Sequence, residues 1–213
     1  MAQIHHISRE HLSIETIAEL LDNKYKLALS EESRALILKA RHYLDHNKAI
    51  KDDAFYGINT GFGSLCNIKI SNEKLSELQR NLVLSHACGT GELVHRTIVK
   101  LMLLLKIQSL SYGHSGISLE VVERLIYFYN NDLLPVVYSQ GSLGASGDLA
   151  PLAHLSLPLL AEGEMYQDGV VVASQVILDK HGLLPLQLQS KEGLALLNGT
   201  QFMSAHAVYA LIQ

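Results

Sequence analysis

Hydrophobic residues recur along much of the chain at the three- and four-residue spacing that puts one apolar stripe on a helix. Several of these stripes start at a serine, whose hydroxyl can accept a hydrogen bond from the first turn of a helix. The pattern predicts helices over residues 13–21, 30–46, 71–86, 118–130, 149–162, 174–182 and 201–213. A break is expected in the 149–162 helix near Pro158, because proline disrupts helical hydrogen bonds.

A further helix, predicted over residues 96–111, is apolar on nearly every side. Such a helix is buried in most directions, so we expect it in the middle of a bundle or at an oligomer interface. Lys100 and Lys106 interrupt the apolar run, and a membrane-spanning helix is therefore not expected.

Only short segments have strand character. Residues 4–7 form one candidate, and residues 165–172 predict a hairpin because Asp168-Gly169 is a strong two-residue turn signal. No linker or internal repeat divides the sequence. The predicted fold class is mainly α with short β segments, in a single domain over residues 1–213.

The composition of the chain narrows the function classes. With 213 residues, 48% of them hydrophobic, it can bury a sizeable core, and its net charge of −4 offers no nucleic-acid footprint. The first residues lack the layout of a signal peptide. Cys66 and Cys88 are expected to be reduced thiols in a cytoplasmic protein. The histidines have no HExxH context or zinc spacing, so no metal is expected.

One stretch of small residues stands out, the sequence GSLGASGDLAP at residues 141–151. Its glycines permit a tight backbone path, and Asp148 can cap a helix that begins at Leu149. On its own the stretch is compatible with an ordinary turn before a helix. It lacks the Lys-Ser/Thr ending of a P-loop, the spacing of a dinucleotide fingerprint and the Gly-x-Ser-x-Gly order of a hydrolase elbow.

Three other segments have both a structural and a functional interpretation. Tyr56 lies in a glycine-rich loop, where an aromatic ring either anchors the loop on the core or belongs to a mobile loop over a site. His86 follows Ser85 at a predicted helix end, a place where histidine is more often structural or solvated. Asn198-Gly199 is typical of a plain turn between helices.

Together and in this order, these segments resemble the aromatic amino-acid ammonia-lyases. The resemblance rests on the Tyr56 loop, the Ser85-His86 turn, the Ala145-Ser146-Gly147 loop and the Asn198 turn. It covers essentially the whole chain. It implies the N-terminal part of the L-aspartase/fumarase-like helical fold, ending before the long central helix bundle is complete.

In that family an Ala-Ser-Gly tripeptide cyclises into 4-methylidene-imidazol-5-one (MIO), an electrophilic prosthetic group. Ala145, Ser146 and Gly147 have the residue types that this chemistry needs. The nitrogen of Gly147 must reach the carbonyl carbon of Ala145, so neither residue can be bulky, and Ser146 must lose its hydroxyl. The resemblance therefore implies an MIO group at residues 145–147 and no metal.

The resemblance also assigns roles to four side chains. Tyr56 takes the place of the catalytic base, a role for which a phenol needs a pKa well below the usual value of about 10. The Ser85-His86 pair resembles the histidine-specific branch, so His86 would orient a substrate imidazole. Asn198 would form hydrogen bonds beside the prosthetic group. The implied activity is elimination of ammonia from L-histidine to give urocanate, by a homotetramer.

Two alternatives stay open at this point. One is a tyrosine or phenylalanine ammonia-lyase, or an aminomutase, of the same family. The other is a non-catalytic helical domain that only assembles with partners. The chain is less than half of a typical family member, so residues that the family draws from its later part have no counterpart here, and the isolated chain is expected to be inactive.

Overall fold

Helices make up most of the chain. The computed structural model describes residues 3–22, 25–50, 54–61, 68–143 and 148–213, without the side chains of residues 47–50 and 72. The helices of this part are α1 (Ile14–Leu21), α2 (Glu31–Ile50), α3 (Leu75–His86), α4 (Arg96–Ser111), α5 (Leu119–Asn130), α6 (Leu149–Ser156), α7 (Ser174–Lys180), α8 (Glu192–Leu197) and α9 (Gln201–Ile212). The predicted mainly α class is confirmed.

Short strands join the helices into one fold. They are β1 (Gln3–Ile7), β2 (Tyr25–Leu29), β3 (Thr90–Leu93), β4 (Leu134–Pro135), β5 (Tyr138–Gln140), β6 (Glu164–Gln167) and β7 (Val170–Ala173). β1 pairs with β2 in parallel, β3 pairs with β5 antiparallel, and β4, β6 and β7 form an antiparallel sheet in that order.

Helix α4 runs through the centre of the core, as its apolar sequence predicts. Side chains on all of its sides are fully buried, among them Val99, Leu101, Met102 and Leu103. The helix packs along α9 and also contacts α2, α5 and α6. Because the helices α1, α2, α5, α6 and α9 pack around α4, its two lysines are carried into the interior, where an ammonium group needs a polar partner.

The first strands form a small parallel unit with α1 between them. Its exposed edge is completed by a side chain from another element, since Asn130 at the end of α5 accepts a hydrogen bond from the backbone N–H of Leu27 and donates one to its carbonyl oxygen. The amide group thus replaces a missing neighbouring strand. Only the first strand of this unit was expected from the sequence.

Several local predictions are confirmed. The hydroxyl of Ser13 accepts a hydrogen bond from the N–H of Thr16, which caps α1. The hairpin of β6 and β7 turns at Asp168 and Gly169, both with positive φ. Beyond α6 the chain continues as a short 3₁₀ helix, Leu157–Leu160, so the expected break occurs at Pro158.

Some helix boundaries differ from the predicted ones. α2 continues to Ile50, beyond the predicted end at residue 46. A 3₁₀ turn, Asn72–Lys74, precedes α3, so α3 starts after Lys74 instead of being capped by Ser71. Ser118 precedes α5 without a capping hydrogen bond from its side chain, and the carboxylate of Glu192 accepts the backbone N–H of Ser118 at 2.8 Å. In the described ranges, no helix has both the length and the apolar character needed to cross a membrane.

Candidate active site

Helices α3, α6 and α8 pack against one another, and each adjoins a predicted site segment. α3 ends at His86, α6 begins two residues after Gly147, and α8 ends immediately before Asn198. The helices that adjoin the three segments therefore belong to one packed unit of the fold, although they are far apart in the sequence.

The predicted prosthetic-group residues Ala145, Ser146 and Gly147 lie outside the described residues, but both flanks of this tripeptide are described. On the N-terminal side, Gly141 has a φ of +125°, and a Cβ added there would lie 3.0 Å from the Cα of Gly89. Only a glycine fits at such a close contact. The described approach to the tripeptide therefore lies against the turn that follows His86.

Two further contacts join this approach to the His86 turn. The antiparallel pair of β3 and β5 sets Thr90 opposite Gln140, one residue before Gly141. On α6, Nε2 of His154 accepts a hydrogen bond from the backbone N–H of Gly89 at 2.9 Å. Burial lowers the pKa of His154, which favours the unprotonated Nε2 that this bond requires.

Asp148, on the other flank, does not cap the helix that follows it, so that prediction is wrong. Its carboxylate is buried and turns toward α9, where Oδ2 accepts the backbone N–H groups of Phe202 at 3.0 Å and Met203 at 3.3 Å. Unpaired N–H groups at a helix start attract an anion, and α9 offers two of them from 54 residues further along the chain. The exit from residues 145–147 is thereby fixed to the helix that follows Asn198.

Asn198 lies in the expected turn, between α8 and α9. Its backbone N–H and its Nδ2 both donate to the carbonyl oxygen of Leu194, at 3.0 and 3.1 Å, and its side chain is exposed. Its own carbonyl oxygen accepts a hydrogen bond from Nζ of Lys106, on α4, at 2.8 Å. The main chain of Asn198 is therefore held from two sides.

The ring of His86 is oriented by its own helix. Nδ1 donates to the carbonyl oxygen of Leu82 at 2.7 Å, and the hydroxyl of Ser85 lies 3.3 Å from the same nitrogen. In the neutral ring this bond puts the proton on Nδ1 and the lone pair on Nε2. The Ser85-His86 pair is thus a preorganised acceptor at the end of α3.

Tyr56 lies in a loop that is organised by polar contacts. Oδ1 of Asn59 accepts the backbone N–H of Phe55 at 2.7 Å, and Gly57 has a φ of +66°. The ring of Tyr56 is 54% exposed, so it does not anchor the loop on the core of this chain. The structural interpretation of Tyr56 as a core anchor is therefore not supported.

Gln79, fully buried on α3, connects this loop to α8. Its Oε1 accepts the backbone N–H of Gly193 at 2.8 Å, and its Nε2 lies 3.4 Å from the carbonyl oxygens of Gly57 and Ile58. The side chain of Gln79 therefore connects the loop of Tyr56 to α8, the helix that ends before Asn198.

Lys106 and Asp148 are buried ionisable residues next to the turn of Asn198 and the start of α9. Burial lowers the pKa of Lys106 to about 7, and the nearby carboxylate of Asp148 opposes this decrease. Burial raises the pKa of Asp148, and its hydrogen bonds from the N–H groups of Met203 and Phe202 oppose that rise. In the part of the chain that the structure describes, no cluster of three or more His, Cys, Asp or Glu side chains could hold a metal ion.

Lys106, Gln79 and His154 were not predicted as site residues. Two of them had a signal in the sequence: Lys106 is a charged residue in the middle of an otherwise apolar run, and Gln79 occupies a position in the apolar stripe of Leu75 and Leu82. A polar side chain in a buried stripe requires a partner, but the sequence does not say which one.

Comparison with known proteins relates this arrangement to a family. The aromatic amino acid lyase family model matches residues 12–213. A histidine ammonia-lyase of Legionella pneumophila (strain Philadelphia 1) is 52% identical over 200 residues, which are 94% of this chain and 39% of that protein.

Two solved structures are also similar. The histidine ammonia-lyase of Trypanosoma cruzi superposes with a TM-score of 0.87 at 34% identity, over 99% of this chain and 40% of that one. The tyrosine aminomutase of Streptomyces globisporus superposes with a TM-score of 0.86 at 32% identity, over 95% of this chain and 38% of that one. The predicted aspartase/fumarase-like helical fold is confirmed, and the chain spans about two fifths of the length of these relatives.

Proposed function

The chain belongs to the aromatic amino acid lyase family, and from this premise we propose that the protein containing it is a histidine ammonia-lyase. Such an enzyme is a carbon–nitrogen lyase that converts L-histidine into urocanate and ammonia. The relative from Legionella, 52% identical over nearly the whole chain, is a histidine ammonia-lyase. The single observation that carries the proposal is that the two flanks of residues 145–147 are fixed beside the turns that carry His86 and Asn198.

The proposal includes an MIO group made from Ala145, Ser146 and Gly147. When formed, this group supplies the electrophile that makes the substrate amine a leaving group. The described flanks fit it: a glycine in close backbone contact leads into the tripeptide, and a buried carboxylate bonded to α9 follows it. A loop tied at both ends is under the geometric restraint that cyclisation of neighbouring residues requires.

The side chains of this chain bind the substrate and move one proton. A substrate imidazole N–H would donate to Nε2 of His86, whose ring is oriented by its bond to Leu82. The Cβ–H and Cα–N bonds of the substrate break as the double bond forms. The proton passes to the phenolic oxygen of Tyr56, and the nitrogen departs as ammonia. The amide of Asn198 stabilises the charge that develops near the prosthetic group.

The assembly and location of the protein are part of the same proposal. We expect a homotetramer in the cytoplasm that binds neither nucleic acid nor membrane, and we expect one domain over residues 1–213. We also expect the isolated 213-residue chain to lack activity, because it spans 39% of the length of the Legionella relative and the family resemblance implies further site residues in the remainder.

Substrate preference and a serine variant test the proposal in the full-length protein. L-histidine is expected to give the absorbance of a conjugated acid, while L-tyrosine and L-phenylalanine give none. Ser146→Ala should lower kcat by roughly 10³-fold or more, because it removes the hydroxyl that must leave when the group forms. Turnover of tyrosine in preference to histidine would contradict the assignment of His86. It would favour the activity class of the similar tyrosine aminomutase structure instead.

Intact mass gives the second readout. The full-length protein should weigh less than its sequence by two waters, and Ser146→Ala should restore the unshifted mass. Ser142→Ala, a change to an exposed serine of the same stretch, is the matched control and should keep both the mass deficit and the activity. Full activity of Ser146→Ala would exclude a serine-derived prosthetic group.

A further inference from the structure

Lys106 is an unusual lysine because its whole side chain lies in the core. It projects from the central helix α4, its residue is 1% exposed, and apolar neighbours on α4 are buried around it. An ammonium group loses its hydration in such a place, so it remains there only with polar partners. Nζ has one in the carbonyl oxygen of Asn198 at 2.8 Å, and it is attracted by the carboxylate of Asp148.

The other buried lysine of α4, Lys100, has a different kind of polar partner. Lys100 reaches outward to the half-exposed carboxylate of Asp132 at 3.1 Å and lies 5.1 Å from the centre of the Tyr129 ring. It makes an ordinary ion pair near the surface. Lys106 instead donates a hydrogen bond to a neutral peptide carbonyl, which offsets little of the desolvation free energy of a buried charge. An apolar side chain would suit its surroundings better, so stability alone does not explain Lys106.

The carbonyl that Lys106 binds belongs to a sterically constrained turn. Asn198 has extended dihedral angles, φ −86° and ψ 137°, and Gly199 follows with a φ of +146°. L side chains rarely adopt this φ, so the path of the chain through residue 199 favours glycine. The side chain of Asn198 is exposed and its Nδ2 donates to the carbonyl oxygen of Leu194 at 3.1 Å, so the bond from Lys106 fixes the main chain from which this amide extends.

Asp148 stabilises the same turn from its other end. The carboxylate binds the N–H groups of Phe202 and Met203 at the start of α9, three and four residues after Gly199. Lys106 and Asp148, which attract each other, thus hold the two ends of the segment between Asn198 and α9. Asp148 is also the residue directly after Gly147.

We propose that Lys106 is a positioning residue for Asn198: its bond to the carbonyl oxygen of Asn198, together with the bonds that the N–H and Nδ2 of Asn198 donate to Leu194, fixes where the Asn198 amide lies. This inference rests on the proposed function, in which Asn198 acts beside the prosthetic group. Lys106 itself touches neither substrate nor prosthetic group in this account.

A double-mutant cycle in the full-length protein tests the inference. Lys106→Met keeps the length and apolar stem of the side chain and removes the donor. Its kcat for L-histidine should fall by roughly 10- to 100-fold, while KM changes less than about threefold, because the group acts on a residue of the transition state. Lys106→Met combined with Asn198→Ala should be no slower than Asn198→Ala alone. The matched control Lys100→Met, on the same helix, should keep the wild-type kcat.

Lys106→Gln serves as the partly conservative variant. Glutamine keeps an N–H donor one atom short of Nζ, so its kcat should lie between those of wild type and Lys106→Met. All variants should retain the mass deficit of two waters. Four results would each overturn the inference. They are a wild-type kcat in Lys106→Met, a double mutant whose loss of kcat is the product of the two single losses, loss of the mass deficit in any variant, and a kcat of Lys106→Gln no higher than that of Lys106→Met. If the wild type turns over another amino acid, the proposed substrate is wrong, and the same cycle on that substrate still tests Lys106.

Discussion

The side-chain oxygen of Gln79 accepts the backbone N–H of Gly193 at 2.8 Å, and this bond relates the loop of Tyr56 to the helix that ends at Asn198. The amide nitrogen of Gln79 faces the carbonyl oxygens of Gly57 and Ile58 on its other side. The contact is close because residue 193 has no side chain. The spacing of two predicted site segments therefore depends on one buried amide and one glycine.

Gly193→Ala should destabilise the protein even though alanine favours helices. A Cβ at residue 193 would lie 2.9 Å from the backbone oxygen of Gln79 and 3.0 Å from its Oε1, so α3 and α8 would have to separate. Overpacking of this kind costs about 1–3 kcal/mol, against a gain in helix propensity of up to about 1 kcal/mol. Urea unfolding should show a lower free energy of unfolding, and kcat should fall as the Tyr56 loop shifts.

Gly182→Ala is the matched control for this prediction. Its Cβ would meet no atom within 4 Å, but the φ of +64° is unfavourable for alanine. It should lower the free energy of unfolding by about 1 kcal/mol without changing kcat. A Gly193→Ala protein as stable as wild type would show that α3 and α8 do not need this contact distance.

Much of the fold could be predicted because it depends on local patterns. The apolar sequence of α4 indicates a buried helix, and Asp168-Gly169 gives a hairpin whatever surrounds it. Strands β2, β3, β4 and β5 were not predicted, since each is five residues or fewer and pairs with residues far away in the sequence. β2 even completes its edge with Asn130, about a hundred residues later.

The site was predicted as a set of segments, and the connections between them were not. The resemblance to the family, and not residue type alone, identifies Tyr56, His86, Asn198 and the tripeptide 145–147, which stay predictions as site residues. The contacts that hold them depend on three-dimensional neighbours. Asp148 has the residue type and position of a cap for α6, yet it binds the start of α9 because that helix offers two N–H groups within reach.

Asp148→Ala should therefore weaken α9, which lies outside the helix that Asp148 precedes. The change removes two charge-assisted hydrogen bonds from a helix start and leaves Lys106 without its neighbouring carboxylate. Loss of a helix cap costs about 0.5–2 kcal/mol, and the buried charge adds to that cost. Hydrogen exchange should increase most at the amides of Phe202 and Met203.

A surface aspartate provides the control for Asp148. Asp179 is exposed, and its carboxylate accepts a hydrogen bond from the side-chain amide of Gln175, one turn earlier on α7. Asp179→Ala should change the free energy of unfolding by no more than about 0.5 kcal/mol. Equal effects of the two substitutions, or unchanged exchange at the start of α9, would contradict the role assigned to Asp148.

His154 should make stability depend on pH on the acid side. Burial lowers its pKa below the ordinary value of about 6.5, and its Nε2 must be unprotonated to accept the N–H of Gly89. As pH falls below 6.5, the unfolded chain takes up the proton before the folded one does. The free energy of unfolding therefore decreases as pH falls from that value.

His154→Gln isolates this contribution. The glutamine oxygen can accept the N–H of Gly89 without titrating, so the variant should lose part of the acid slope seen in wild type. His5, whose pKa is lowered by burial and by His6, is present in both proteins and cancels in the comparison. Urea unfolding series between about pH 5 and 7 would measure both slopes. Identical slopes would show that His154 does not titrate in this way.

Lys106 should produce a dependence of the same sign on the alkaline side. Burial lowers its pKa from 10.5 to about 7, so between these values the unfolded chain keeps a proton that the folded chain has lost. The free energy of unfolding should rise with pH in this window, by up to about 1.4 kcal/mol per pH unit.

Lys106→Met should remove this rise, whereas Lys100→Met should keep it because Lys106 is still present. Burial and Arg41 also lower the pKa of Lys191, but this residue is common to all three proteins. A rise of the same size in Lys106→Met would mean that Lys106 keeps its proton when buried.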